Sequence, residues 1–252
     1  MSNHYETMTQ YQRGITRKQP LFLIHAASGL SLPYFGMYPL DRPVYGITNP
    51  YFNEPVNKPN RREFKCMKTM ARAYLRMIRR VQPRGPYLLG GWSFGGVLAL
   101  EVARQLIGLD EVVSHVVLLD SAHLPGYKFP VEYNYVLVDA LLSRSEGLDP
   151  DTCAKIRESY RNSQYLMGQH ATAPYHGKVT LIRSTVYDES IPMPAVEEEL
   201  ERKVVESTDN CWGDRLSNLN VLDIPVSHDS LFDPEYVEQT SNLLRDALAE
   251  LP

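Results

Sequence analysis

Ser93 stands in Gly91-Trp92-Ser93-Phe94-Gly95, directly after the apolar run Pro86-Tyr87-Leu88-Leu89-Gly90 and before an apolar stretch that reaches Ile107. Gly-x-Ser-x-Gly between a strand and a helix has the spacing of a nucleophile elbow, in which a tight turn exposes a serine hydroxyl above a parallel sheet. Glycine is needed on both sides because the residues two before and two after the serine come too close for side chains. The chemistry this implies is acyl transfer. A serine hydroxyl is a weak nucleophile at neutral pH, so it needs a base, and the base needs a carboxylate to fix its tautomer and steady its positive charge. The bland alternative is a glycine-rich turn carrying an ordinary serine.

Seven histidines are available. His4 lies in a polar leader, His115 opens a strand at the wrong sheet edge, and His170 and His176 fall in or just after an insertion. His228, in Ile224-Pro225-Val226-Ser227-His228-Asp229-Ser230, follows the last strand and precedes the final helix, which is where a general base is expected. His123 is the runner-up, placed too soon after Asp120. For the carboxylate two positions compete. Asp120 closes the apolar run His115-Val116-Val117-Leu118-Leu119, while Asp188 lies in the loop after Thr180-Leu181-Ile182-Arg183. Asp120 is preferred because it ends its strand with little slack. An oxyanion hole is expected from the backbone N–H of Phe94 and that of Ala27, in the small-residue stretch His25-Ala26-Ala27-Ser28-Gly29. His25 itself reads as a strand-end histidine that hydrogen-bonds this loop.

These residues have to be carried by alternating strands and helices. Strands are predicted at Leu21–His25, Pro43–Ile47, the run before the elbow, His115–Asp120, Lys178–Ile182 and Leu219–Ile224. Met67, Met70, Ala71, Tyr74, Leu75, Ile78 and Val81 recur at helical spacing, and Glu101, Arg104 and Gln105 mark the polar side of the helix after the elbow. The last helix has Asp233 as N-cap and Pro234 at its first position. The pattern is that of an α/β protein with a mostly parallel sheet and right-handed crossovers. Between Asp120 and Lys178 the chain is far longer than a one-helix crossover requires. An insertion at about 121–177 is expected to form a partly helical lid, with a helix starting at Asp149-Pro150 and an aromatic inner face from Tyr127, Phe129, Tyr133, Tyr135, Tyr160, Tyr165 and Met167, although core packing of the inserted helices explains many of these residues equally well.

The whole chain sets the remaining bounds. Its 252 residues, 43% hydrophobic and 22% charged, suit one domain over 20–252 after a polar leader at 1–19. A net charge of -4 gives no general attraction to nucleic acid. No apolar stretch is long enough to span a membrane and no signal-peptide core is visible, so a cytoplasmic location is expected. Three cysteines at wide spacing fit neither a disulfide framework nor a metal site. Lys65, Lys68, Arg72, Arg76 and Arg79 form a basic stripe, read first as a solvated helix face and alternatively as a docking face for an acidic partner.

Phe22-Leu23-Ile24-His25-Ala26-Ala27-Ser28-Gly29, Gly90-Gly91-Trp92-Ser93-Phe94-Gly95-Gly96, Leu118-Leu119-Asp120-Ser121 and His228-Asp229-Ser230-Leu231-Phe232 together resemble the type I thioesterase domains of polyketide and nonribosomal peptide synthases. The likeness runs from about Pro20 to the chain end, and Leu32-Pro33-Tyr34-Phe35 through Leu40–Ile47 looks most like fungal members. Many relatives carry glycine just before the histidine, where this chain has Val226-Ser227. The resemblance implies an α/β-hydrolase fold with a lid after the acid-bearing strand. It also implies an acyl or polyketide chain delivered as a phosphopantetheine thioester by an acyl or peptidyl carrier protein. Ser93 would attack the thioester, His228 would relay the proton and Asp120 would steady the imidazolium, with no cofactor, and release would follow by hydrolysis or cyclisation. With no carrier, ketosynthase or adenylation sequence, a free-standing enzyme acting in trans or an excised terminal domain is expected. Competing readings are a carboxylesterase or lipase with the same triad, and a non-catalytic polyketide-binding protein, which the intact Ser93, Asp120 and His228 argue against.

Overall fold

The structure is a computed structural model that describes residues 6–14, 17–59, 62–124, 138–143, 147–191 and 195–251. The expected lid aromatics Tyr127, Phe129, Tyr133 and Tyr135 lie outside the described residues. The strands are β1 (Met8–Gln12), β2 (Leu21–Ile24), β3 (Val44–Ile47), β4 (Tyr87–Trp92), β5 (Val113–Leu119), β6 (Val179–Val186) and β7 (Leu219–Ser227). The long helices are α1 (Met67–Val81), α2 (Phe94–Ile107), α3 (Pro150–Gln169), α4 (Ala195–Glu206) and α5 (Val237–Ala247).

The strands form one sheet in the order β1-β3-β2-β4-β5-β6-β7, parallel throughout except for β1. From β2 the chain first adds β3 on one side and then crosses by way of α1 to add β4 on the other. The connections therefore diverge between the carboxyl ends of β2 and β4, leaving a crevice there. The Ala26-Ala27 loop and Ser93 leave the sheet at that crevice.

Period-two alternation assigns the two faces of the sheet. Phe22, Ile24, Leu89, Val116, Leu118 and Leu181 pack on the face covered by α1 and α2. Leu21, Leu23, Leu88, Val117, Leu119 and Ile182 pack on the opposite face with Val237 and Leu244 of α5. Helix α1 buries Met67, Met70, Ala71, Tyr74, Leu75 and Ile78 as its spacing predicts, while Val81, at its end, is exposed. In the insertion, Asp149 caps α3 by accepting hydrogen bonds from the Asp151 and Thr152 N–H groups, with Pro150 in the first turn.

Three expectations are corrected. Ordered structure begins before Leu21: Met8–Gln12, inside the stretch read as a polar leader, adds an antiparallel edge strand to β3. Such an edge strand stays half exposed on both faces, so it lacks an apolar alternation, and it forms because β3 offers a free edge. The last helix begins at Val237; Asp233 starts a preceding turn in which its carbonyl accepts from the Tyr236 and Val237 N–H groups. Glu101 is buried, because α1 lies against α2, and its carboxylate accepts from Gln105 Nε2 at 3.0 Å. Among the described residues no helix is long and apolar enough to cross a membrane.

Candidate active site

Ser93 sits between the end of β4 and the start of α2 with φ 55° and ψ −121°, a conformation an L-residue holds at a cost of about 1–3 kcal/mol. The elbow is tied down from both sides. The Ser93 N–H donates to the Leu119 carbonyl at 2.9 Å, and Tyr34 Oη accepts from the Trp92 N–H at 2.9 Å while donating to the Ile24 carbonyl at 2.6 Å. Tyr34 thus pins the end of β4 to β2. A Cβ on Gly91 would run into the backbone of Gly95, and one on Gly95 into the Ile24 carbonyl oxygen. Both glycines are therefore obligatory for this close approach.

Asp120 follows β5 with a φ of 46° and is buried. Its Oδ2 lies 2.7 Å from His228 Nδ1, and its Oδ1 accepts from the Ser184 N–H at 2.9 Å and from Asn210 Nδ2 at 2.8 Å. Burial opposes a charge on this carboxyl, but the bond and charge of His228, with the hydrogen bonds from Asn210 and Ser184, outweigh it and hold its pKa below the ordinary value. His228 follows β7 at the same sheet edge. Burial works against its imidazolium, yet the bond and charge of Asp120, with Asp229 and Glu201 nearby, raise its pKa to about 9. With Nδ1 engaged by the carboxylate, Nε2 is the ring nitrogen left to exchange a proton. Asp188 also lines the cavity around His228, but it is Asp120 that bonds the imidazole; Asp188 Oδ1 accepts from the Ser190 N–H at 2.9 Å, and the His123 ring stacks on Trp212 at 5.2 Å.

Ser93, Asp120 and His228 line one cavity of about 140 Å³, together with Ala27 and Phe94. Phe94 opens α2, and the first N–H groups of a helix have no carbonyl partner within it. The Ala27 carbonyl accepts from Ser163 Oγ of α3 at 3.2 Å, so the insertion helix is bonded to this loop. His25 is buried, with Nδ1 2.5 Å from the Ala26 carbonyl oxygen and Nε2 2.6 Å from Tyr74 Oη; burial lowers its pKa to about 4 and keeps it neutral. Leu124, Leu141, Tyr160 and Met167 from the insertion face the cavity, whereas Tyr165 is exposed. The other upper wall is α4, which contributes Leu200, Glu201, Val204 and Val205. The sequence reading did not include α4 in the site. It also missed Asn210, whose only sequence signal is its place in the turn-forming Thr208-Asp209-Asn210.

A mostly parallel sheet with this elbow and this strand-end chemistry defines an α/β-hydrolase. Residues 19–126 match the thioesterase domain family. The chain is 30% identical to thioesterase pytI of Aspergillus terreus over 92% of its own length and 94% of the relative's. It is 27% identical to a dimodular nonribosomal peptide synthase of Bacillus subtilis, spanning 93% of this chain and 10% of the synthase. Among solved structures, the NocB thioesterase domain in covalent complex with a fluorophosphonate nocardicin G analogue is 31% identical, with a TM-score of 0.72 over 91% of this chain and 94% of that one. The chain belongs to the thioesterase domain family, whose members occur both at this length and as domains of large synthases.

Proposed function

We propose that the chain takes an acyl or polyketide chain from the phosphopantetheine thioester of a carrier protein onto Ser93 and releases it by hydrolysis or cyclisation. The observation that carries this reading is the 2.7 Å bond from His228 Nδ1 to Asp120 Oδ2, on the wall of the cavity that Ser93, Ala27 and Phe94 also line. His228 Nε2 takes the Ser93 proton as Oγ bonds to the thioester carbonyl carbon. The N–H groups of Ala27 and Phe94 receive the oxyanion. The C–S bond then breaks and His228 returns the proton to the departing thiolate. Water, or a nucleophile within the acyl chain, is deprotonated by the same imidazole and attacks the acyl-enzyme carbonyl; the C–O bond to Ser93 then breaks and His228 returns the proton to Ser93 Oγ.

The carrier would act in trans, and α1 is its docking face. Lys68, Arg72 and Arg76 of α1 are exposed, as is Lys65 just before the helix, which lies 3.9 Å from Glu63; Arg79 pairs with Glu111 at 3.2 Å. The helix starts on the sheet edge where the site lies, because it returns from the carboxyl end of β3 to the start of β4. The reading is tested by comparing an acyl-pantetheine thioester with the matching oxygen ester. The expected result is a kcat/KM at least about tenfold higher for the thioester, with both activities lost in Ser93→Ala. Preference for the oxygen ester would instead make the chain a carboxylesterase.

A further inference from the structure

Glu201 breaks the pattern of its own helix. In α4, Leu200, Val204 and Val205 turn toward the cavity, while Glu199, Arg202, Lys203 and Glu206 are exposed. Glu201 lies on the cavity side of that division. Its carboxyl has no hydrogen-bond or ion-pair partner among the described residues, and the adjacent Arg202 pairs with Glu198 and Glu189 instead. Burial raises the Glu201 pKa above the ordinary carboxylate value, with Asp229 and Asp120 adding to the rise and His228 opposing it. A second acceptor lies deeper: Gln164 of α3 lines the same cavity, and its Oε1 is buried without a partner among the described residues.

The Gln164 amide oxygen, buried without a donor, is destabilising as it stands, and the half-buried Glu201 carboxyl faces the cavity with no protein donor among the described residues. On the apolar wall of a cavity they are complementary to a ligand that brings donors of its own. The chain has no need of Glu201 for the proton relay, since Asp120 already occupies His228 Nδ1. We propose that Glu201, with Gln164, forms a polar subsite that selects acyl chains bearing a hydrogen-bond donor, an amine or a hydroxyl. This deepens the thioesterase reading and rests on it. The donor group binds the Glu201 carboxyl while the thioester carbonyl lies at Ser93, so Glu201 is a specificity residue with no part in bond making.

The test uses pantetheine thioesters matched at each of several chain lengths, ending in an ammonium, a hydroxyl or a methyl group. The readout is the ratio of kcat/KM for donor-bearing over methyl-ended chains. In the wild type at least one donor is expected to exceed the methyl chain by about tenfold. E201L is expected to bring that ratio close to one, and E201Q, which keeps the shape and a neutral acceptor, to lose an ammonium preference more than a hydroxyl preference. Dissociation constants for the same substrates on Ser93→Ala, with and without E201L, should show the same loss of selectivity. Wild-type ratios near one at every length, or ratios that survive E201L, overturn the proposal. The second result, with both substrates slowed equally and a displaced pH profile, would assign Glu201 to the field at His228. Failure of the underlying thioesterase reading looks different: the wild type would then turn over none of the chains, the methyl-ended ones included.

Discussion

Asp120→Asn removes the charge that faces His228 while keeping a side chain of the same size. In the folded protein the imidazole titrates at about 9, although burial opposes its charge, against roughly 6.5 for a free histidine. Those values differ by about 2.5 pH units, which at about 1.4 kcal/mol per unit favours the imidazolium over the neutral ring by roughly 3 kcal/mol more than in water. Most of that stabilisation comes from Asp120, so the variant's His228 should titrate at or below the ordinary value. The sign follows from the role: His228 must be unprotonated to accept the Ser93 proton, so kcat/KM rises as pH rises through its pKa. The wild-type acid limb should therefore lie well above 6.5, and that of Asp120→Asn should sit about 2 or more pH units lower. Above both limbs kcat should fall on the order of 100-fold or more, because the imidazolium formed in the transition state has lost its counter-charge and the replacement amide can hold the wrong tautomer. Thiol release from a pantetheine thioester, followed from about pH 5 to pH 10, reads both quantities. A limb that stays in place in Asp120→Asn, or that moves instead in Asp188→Asn, would refute the reasoning.

Asn210→Gly should lower kcat about tenfold, because the 2.8 Å bond to Asp120 Oδ1 is lost and hydrogen bonds to charged groups contribute about 1.5–3 kcal/mol. Asn210→Ala should match it in rate but melt lower, since Asn210 has a φ of 50° that glycine tolerates and alanine resists; equal melting temperatures would contradict this account of the turn. Charge reversal of Lys65, Lys68 and Arg72 to Glu should raise KM for a carrier-borne substrate severalfold and leave a free pantetheine thioester unaffected. Equal effects on both substrates would remove α1 as the docking face.

What was legible in the sequence was what local sterics and chain order determine. The elbow is readable because Gly91 and Gly95 are needed within five residues of chain, and His228 because it occupies the one segment between the last strand and the last helix. Asp120 was favoured over Asp188 only because it ends its strand directly, since both follow parallel strands ending at one sheet edge. A positive φ at Asp120 and its three hydrogen-bonded partners distinguish it in space. Asn210 is 90 residues away from Asp120, and no periodic pattern links two such positions. Strand β1 was hidden because its pairing depends on the open edge of β3. The α4 wall was missed because the insertion was expected to supply the whole cover over the site, whereas the connection after β6 supplies a second part of it.

The central claim is that Ser93 carries the acyl group, and intact-protein mass spectrometry after mixing with an acyl-pantetheine thioester tests it most directly. The account requires a mass increase equal to the acyl group on the wild type, located on Ser93 by peptide mapping and absent from Ser93→Ala. Turnover by wild-type protein that never acquires the adduct, or an adduct that persists in Ser93→Ala, would contradict it.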